Sequence, residues 1–173
     1  MLINRTKKIV LTALLTALTA IGAQIVIPIG TVPVTLQIFV VFLSGMILGP
    51  IWGFISQAAY LMLGAIGLPV FAQFAGGLGI IAGPTGGFLL AFPFAAMIAG
   101  FAREKGRKIS VVIILTSLAV VYLVGWLRLS LFFDDFQKGF MAGVLPFIGF
   151  DFLKLWGAYA VYIGLKKRIL LPE

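Results

Sequence analysis

Long apolar runs, separated by short polar, glycine-rich or proline-rich breaks, make up almost the whole chain. Six of these runs have the length and composition of helices. They cover Ile9–Pro28, Val34–Leu48, Ile51–Gly67, Phe88–Phe101, Ile109–Leu129 and Val144–Leu165. The second and third runs rise about 24 Å, slightly less than a bilayer core of about 30 Å, so these helices are either short or extend into the flanking loops.

The composition assigns this helical pattern to the membrane. The chain is 62% hydrophobic and only 10% charged, and its mean hydropathy is +1.19. These values lie far outside the range of soluble globular domains. The chain has no polar stretch long enough to form a soluble domain. We therefore expect one all-α integral membrane domain over residues 1–173, in the cell membrane.

The residue types also limit the chemistry. Cysteine and histidine are absent, which removes disulfides, thiol catalysis and the commonest general base and metal ligand. The sequence contains no paired carboxylates, no nucleophile with a base and no metal-ligand spacing. We therefore expect no enzyme activity, no cofactor and no metal site.

The net charge of +8 is concentrated in three short clusters, at residues 5–8, 103–108 and 166–168. Cytoplasmic loops of membrane proteins carry an excess of lysine and arginine, and six spans would place all three clusters on that side. The sequence thus predicts six transmembrane helices with cytoplasmic N and C termini. The connections 29–33, 68–87 and 130–143, which include a polar turn at Phe132–Gly139, would share the outer face. A nucleic-acid partner is not expected, because the chain lacks a polar surface to present these charges.

Residues 68–87 are apolar but contain many glycines and two prolines. Irregular backbone of this kind cannot face lipid, because its N–H and C=O groups would lack partners. We expect the segment to pack on protein or to line a cavity. Its glycines do not form a phosphate loop, since the Gly-Lys-Ser/Thr ending is missing.

Asp151 and Lys154 are two charged residues inside the last apolar run. An ionised side chain near the centre of a membrane helix costs about 2.5–3.5 kcal/mol on insertion scales. At a spacing of three the two side chains share one helix face. They would either bind one polar ligand together or form a structural ion pair, unless Lys154 extends to the membrane interface.

Arg128, near the outer end of the fifth helix, also has two interpretations. It would be an interfacial anchor beside Trp126 and Phe132, or it would pair with Asp151 or bind a substrate carboxylate. In the first helix, Ala13-xxx-Ala17 has the small-residue spacing that lets helices approach closely. That pattern suits internal packing and a partner protein equally well.

Several segments together resemble the BioY family, the biotin-binding S components of energy-coupling factor (ECF) transporters. The likeness covers nearly the whole chain in the same order. Its motifs are Ile27–Gln37, Gly67–Phe71, Gly83–Gly87, Tyr122-xx-Gly125-Trp126, and Gly143–Phe147 followed by Asp151-xx-Lys154.

The resemblance implies a six-helix membrane protein that captures biotin from outside the cell. It implies docking through a helix 1 motif like Ala13-xxx-Ala17 onto a transmembrane T component, which is coupled to two cytoplasmic ATPase subunits. It assigns Asp151 and Lys154 to the polar head of biotin. Gln37, Gln73 and Thr85 are further pocket candidates from the outer loops.

The chain departs from the family pattern at three places. Gly149-Phe150 replaces the usual Pro-Gly before the aspartate. Gln73 and Phe74 stand where glycines are common. Leu89 stands where some members have an arginine, and Arg128 is a candidate to supply that charge. The alternatives are an S component for another vitamin or heterocycle, a proton-coupled carrier acting through Asp151, and a membrane scaffold without transport activity.

Overall fold

The computed structural model describes residues 2–28 and 32–168, and most of them are helical. The α-helices in these ranges are α1 Leu2–Gln24, α2 Gln37–Leu48, α3 Pro50–Ala65, α4 Leu78–Ala82, α5 Gly86–Gly100, α6 Arg107–Phe133, α7 Phe136–Gly143 and α8 Ile148–Arg168. A 3₁₀ turn covers Ala72–Phe74, and two short strands, β1 Val26–Ile27 and β2 Val34–Thr35, pair antiparallel. The prediction of a mainly helical protein is confirmed.

Three segments in the described part of the chain are long and apolar enough to cross a membrane. They are Arg5–Gln24, Arg107–Phe133 and Ile148–Lys166. Helices α2 and α5 are apolar but shorter. Helix α2 packs against α1, α3, α5 and α8, and every residue from Val40 to Leu48 is buried. A helix that is apolar on all sides belongs in the interior, so α2 is the centre of the bundle.

Glycines allow three helices to meet closely at this centre. A Cβ added at Gly45 on α2 would overlap the carbonyl oxygen of Ala96 on α5. A Cβ at Gly53 on α3 would lie 2.8 Å from the Cα of Gly45. Between these two, Gly49 ends α2 with a φ of 82°, and Pro50 begins α3. Proline suits the first helical position because its missing N–H would have no intrahelical partner there.

A buried polar seam joins α1 to the helices beside it. The hydroxyl of Thr16 donates to the carbonyl of Ser56 on α3 at 2.9 Å. Gln57, also on α3, donates from its amide to Thr19 on α1 and to Ser44 on α2, both at 3.1 Å. These bonds fix α1 against the bundle through its threonine face.

The ends of several helices differ from the predicted ones. The first helix ends at Gln24 instead of Pro28, because Val26–Ile27 pairs with Val34–Thr35, and this small sheet corrects a purely helical prediction. Only residues 32 and 33 of the predicted loop 29–33 are among the described residues. The last helix begins at Ile148 instead of Val144, since residues 144–147 form a turn.

The prediction of a polar turn over Phe132–Gly139 is wrong. Helix α6 continues to Phe133 and α7 begins at Phe136. Asp135 caps α7 by accepting hydrogen bonds from the N–H groups of Gln137 and Lys138. The backbone N–H of Lys138 is the main reason that the pKa of this exposed carboxyl lies below its usual value. A polar N-cap can therefore look like a loop in the sequence.

Two of the basic clusters lie at the same end of the bundle. The carbonyl of Arg103 accepts hydrogen bonds from the Tyr162 hydroxyl at 2.6 Å and from the Lys166 ammonium at 2.9 Å. The other end holds the far end of α1, where Gln24 contacts Phe71 in the segment between α3 and α4. Helix α1 has 23 residues and so rises about 35 Å. The start of α1, with the basic cluster 5–8, therefore lies toward the end where Arg103 meets Lys166.

Candidate functional site

A cavity of about 370 Å³ lies at the end of the bundle opposite Arg103 and Lys166. Its apolar wall is mainly aromatic and branched aliphatic: Val32, Val34, Ile38, Phe71, Ile80, Phe88, Leu89, Phe92 and Phe147. Its polar wall consists of Thr35, Gln37, Gln73, Thr85, Tyr122, Asp151 and Lys154. An apolar cavity of this size with a few convergent polar groups is typical of sites for small organic ligands.

Asp151 and Lys154 form an ion pair on this wall. Asp151 lies in the first turn of α8 and is 1% exposed. Its Oδ1 is 2.8 Å from the Nζ of Lys154, whose side chain is 13% exposed. Its Oδ2 accepts a hydrogen bond of 3.0 Å from the hydroxyl of Tyr122 on α6. The start of α8 favours the negative charge, because the helix dipole is positive at that end.

Gln37, at the start of α2, lies on the same cavity with its side-chain amide already held. Its Oε1 accepts from the Thr35 hydroxyl at 2.8 Å, and its Nε2 donates to the Tyr60 hydroxyl. Tyr60 in turn donates to the carbonyl of Val70 at 3.0 Å. The chain of bonds orients Gln37 and ties β2 to the segment after α3.

Gln73 reaches the cavity from a strained backbone. It and Phe74 have φ values of 59° and 56°, in the left-handed region that favours glycine. Gln24 holds this turn by donating to the carbonyl of Phe71 at 3.0 Å and by accepting from the N–H of Phe74 at 2.9 Å. The positive φ values give a physical reason to expect glycine at these two positions, as the family resemblance implies. They also identify a place where this chain keeps side chains despite the strain.

Thr85 and Arg128 have different relations to the cavity. Thr85 precedes α5 and lines the wall directly. Arg128, on α6, is not among the described residues that line it. Its guanidinium instead donates to the carbonyls of Ala82 and Gly83 at the end of α4, with Nε 3.3 Å from the Gly83 oxygen. The structure therefore brings five of the six predicted substrate-binding residues to one cavity and leaves Arg128 behind the wall.

The alanines of the small-residue motif lie away from the cavity. Ala13 and Ala17 are exposed on α1, whereas Thr12, Thr16 and Thr19 on the same helix are buried. Within this chain the two alanines thus do not pack in the interior. Their exposed position leaves the partner-protein interpretation open.

Sequence reasoning missed Tyr122, Thr35 and Tyr60 as members of the polar network. In the sequence, Tyr122 stands out only as part of the Tyr122-xx-Gly125-Trp126 motif. Its position 29 residues before Asp151 gives no local signal of contact. The tyrosine hydroxyls in apolar helices were the available clue, because a buried hydroxyl needs a hydrogen-bond partner.

Comparison with known sequences matches this chain over nearly its whole length. The model of the BioY family matches residues 2–170. A protein of Pyrococcus horikoshii described as a probable biotin transporter BioY is 51% identical over 160 residues, which cover 92% of this chain and 95% of that protein. The biotin transporter BioY of Thermotoga maritima is 39% identical over 163 residues, covering 93% and 96%.

A solved structure agrees with these sequence matches. It is the crystal structure at 2.1 Å of the S-component for biotin from an ECF-type ABC transporter. It superposes with a TM-score of 0.87 at 29% identity, and the match covers 94% of this chain and 92% of that one. The resemblance inferred from the motifs is confirmed.

Proposed function

Because this chain belongs to the BioY family, we propose that it is the biotin-binding subunit of an ECF-type transporter, which captures biotin with high affinity for uptake into the cell. The family consists of transporter components, which are not a class of enzymes. The chain is a multi-pass protein of the cell membrane. The proposal also draws on the chemistry of its cavity.

The cluster of buried Asp151 with partly buried Lys154 and Tyr122, on a mainly apolar cavity, is the observation that carries the proposal. Biotin has a ureido ring with two N–H donors and a carbonyl acceptor, a thioether ring, an aliphatic chain and a carboxylate. The carboxylate of Asp151 suits the N–H donors, and the ammonium of Lys154 suits a carbonyl or carboxylate oxygen. The aromatic wall suits the sulfur-containing ring and the chain. Gln37, Gln73 and Thr85 complete the proposed ligand shell.

We further propose that six helices, α1, α2, α3, α5, α6 and α8, cross the membrane with both termini in the cytoplasm. The basic clusters at one end of the bundle support this orientation, since positive charge marks the cytoplasmic side. The cavity then opens toward the outside, where biotin is captured. A helix of only 12 residues can be accommodated in the membrane because α2 lies at the centre of the bundle. Other parts of the protein then shield the backbone N–H and C=O groups at its two ends from lipid.

The energy for uptake would come from partner subunits. We propose that α1 docks onto a transmembrane T component through the exposed Ala13 and Ala17, and that two cytoplasmic ATPase subunits drive the complex. Small exposed residues allow close approach of a second helix in the membrane.

The direct test is to purify the protein without added ligand, identify what co-purifies by mass spectrometry, and titrate biotin by calorimetry. We expect bound biotin, or saturable binding well below micromolar concentration. Desthiobiotin, which keeps the ureido ring without the sulfur, should also bind. Absence of biotin binding at micromolar concentration would refute the assignment, and recovery of a different heterocycle would identify another substrate.

A further inference from the structure

The segment from α4 to the start of α5 forms one side of the ligand cavity. Gly79, Ile80, Gly83, Pro84 and Thr85 all line it. None of the five residues of α4 is buried. A helix of one turn has little stability of its own, and a segment with little buried surface is expected to open locally. This wall therefore needs an anchor.

Arg128 supplies that anchor from α6. Its Nε donates to the carbonyl of Gly83 at 3.3 Å, and its Nη2 donates to the carbonyl of Ala82. Two donors of one planar guanidinium thus hold two successive carbonyls, a geometry that lysine cannot reproduce with its single ammonium. The positive charge also suits the carboxyl end of α4, where the carbonyls lack intrahelical partners.

The close packing of α5 against α6 also restricts the first carbons of the Arg128 side chain. A Cβ added at Gly87 on α5 would overlap the Cβ of Arg128 and would lie 2.6 Å from the carbonyl oxygen of Val124. Gly87 is itself buried. Because α5 and α6 approach closely at Gly87, the first carbons of the Arg128 side chain have little room to move. The guanidinium then acts as a strut, a fixed link between α6 and the cavity wall.

We propose that Arg128 is a positioning residue that fixes the wall formed by residues 79–85 over the ligand cavity and thereby slows ligand exchange, without touching the ligand. The proposal deepens the proposed function, on which it rests for the choice of biotin as probe. It differs from both interpretations drawn from the sequence, in which Arg128 is an interfacial anchor or contacts Asp151 or a substrate carboxylate directly. Its effect on the ligand is transmitted through the carbonyls of Ala82 and Gly83.

The main variant is Arg128→Met, which keeps the length of the stem beside Gly87 and removes both donors. Lys138→Met is the matched control, because Lys138 is a cation on α7 whose side chain is 73% exposed. Association and dissociation rates are measured for biotin and for biotinamide, in which a neutral amide replaces the carboxylate. We expect Arg128→Met to dissociate both ligands faster by the same factor, roughly tenfold or more, since hydrogen bonds from a charged donor are the stronger kind. Lys138→Met should match the wild type.

The comparison of the two ligands separates a strut from a direct contact. If Arg128 bound the carboxylate, its removal would weaken biotin far more than biotinamide, and the positioning role would be wrong. Unchanged dissociation of both ligands would also overturn it. If Arg128→Met does not fold, Arg128→Lys, which keeps the charge and offers a single ammonium, is measured in the same way. It should dissociate biotin and biotinamide faster than the wild type by one common factor, and wild-type rates for both ligands would contradict the positioning role.

Hydrogen exchange provides a readout that does not involve biotin. In the ligand-free protein, Arg128→Met should speed exchange of the amides around residues 80–86, including the Gly83 and Gly86 amides, which donate to Ile80 and Gly83. Exchange in α7 and α8 should stay at the wild-type rate. Faster exchange throughout the protein would mean general destabilisation and would contradict a local strut. Because this measurement needs no ligand, it still tests the strut if the wild type fails to bind biotin.

Discussion

Both carboxylate oxygens of Asp151 already accept a hydrogen bond from within the chain, one from Lys154 and one from Tyr122. Each oxygen has a second acceptor site, so a ligand N–H can be added without breaking either bond. Lys154 has two further N–H donors beyond the one it gives to Asp151. The ion pair therefore orients two groups for a ligand instead of consuming them.

This arrangement predicts that Asp151→Asn and Lys154→Met will each weaken biotin binding by about 2 kcal/mol or more, close to thirtyfold in Kd. Each substitution removes a proposed ligand partner and leaves the other member of a largely buried pair without its counter-charge. The measurement is calorimetric titration of the purified variants.

The double variant Asp151→Asn/Lys154→Met separates binding from stability. It contains no buried unpaired charge, so the folded protein should regain stability relative to the single variants, whereas biotin affinity should not recover. Wild-type affinity in either single variant with an intact fold would return the pair to a purely structural role.

At the scale of single residues, the sequence is informative where placing a residue in the membrane carries a large free-energy cost. Asp151 and Lys154 could be singled out because charges are expensive in an apolar helix. Tyr122 could not, since its hydrogen bond to Asp151 joins two helices whose residues lie 29 positions apart in the sequence. For Arg128 the sequence shows a charge near the end of an apolar helix, but the carbonyls that accept its hydrogen bonds belong to a turn whose path is defined only in the folded chain.

At the scale of whole elements, hydrophobic pattern located the long helices better than it located their ends. Each of the six predicted runs overlaps a helix of 12 residues or more among the described residues. The ends depend on pairing and capping instead. The β1–β2 contact shortens α1, and the N-cap of Asp135 begins a helix inside a polar stretch.

A substitution at Gly45 tests the close packing of α2 against α5. We expect Gly45→Ala to lower the free energy of unfolding by about 1–3 kcal/mol, because its methyl group would overlap the carbonyl oxygen of Ala96. The measurement is the thermal unfolding midpoint of the ligand-free protein in detergent. Gly164→Ala on α8 is the matched control: nothing lies within 4 Å of its added Cβ. It should be neutral or stabilising by up to about 1 kcal/mol, as alanine is the better helix former. Equal midpoints for the two variants would contradict the tight contact of α2 with α5.

At the scale of the whole molecule, α1 connects two surfaces. Its threonine face is bonded to α3, and Gln24 at its end holds the turn that carries Gln73 to the cavity. Another face of α1 exposes Ala13 and Ala17. A partner docked on the exposed face would therefore lie on a helix that is hydrogen-bonded to the turn carrying Gln73. Sequence alone showed the small residues, but not which face of α1 they occupy, because the whole helix is apolar enough to suit either face.

This division predicts that docking and biotin binding can be separated by mutation. Ala13→Leu/Ala17→Leu adds bulk only to the exposed face, so the purified protein should keep its biotin Kd within about twofold, less than 0.5 kcal/mol. The same variant should lose most of its association with co-expressed T component and ATPase subunits, because a close helix contact does not tolerate two added branched side chains. Ala160→Leu, at an exposed position of α8, is the matched control and should retain assembly. Co-purification of the subunits and uptake of labelled biotin by cells are the two measurements. Normal assembly and uptake in the α1 variant would exclude this face as the docking surface, whereas weakened biotin binding by the isolated protein would mean that the two faces of α1 are not independent.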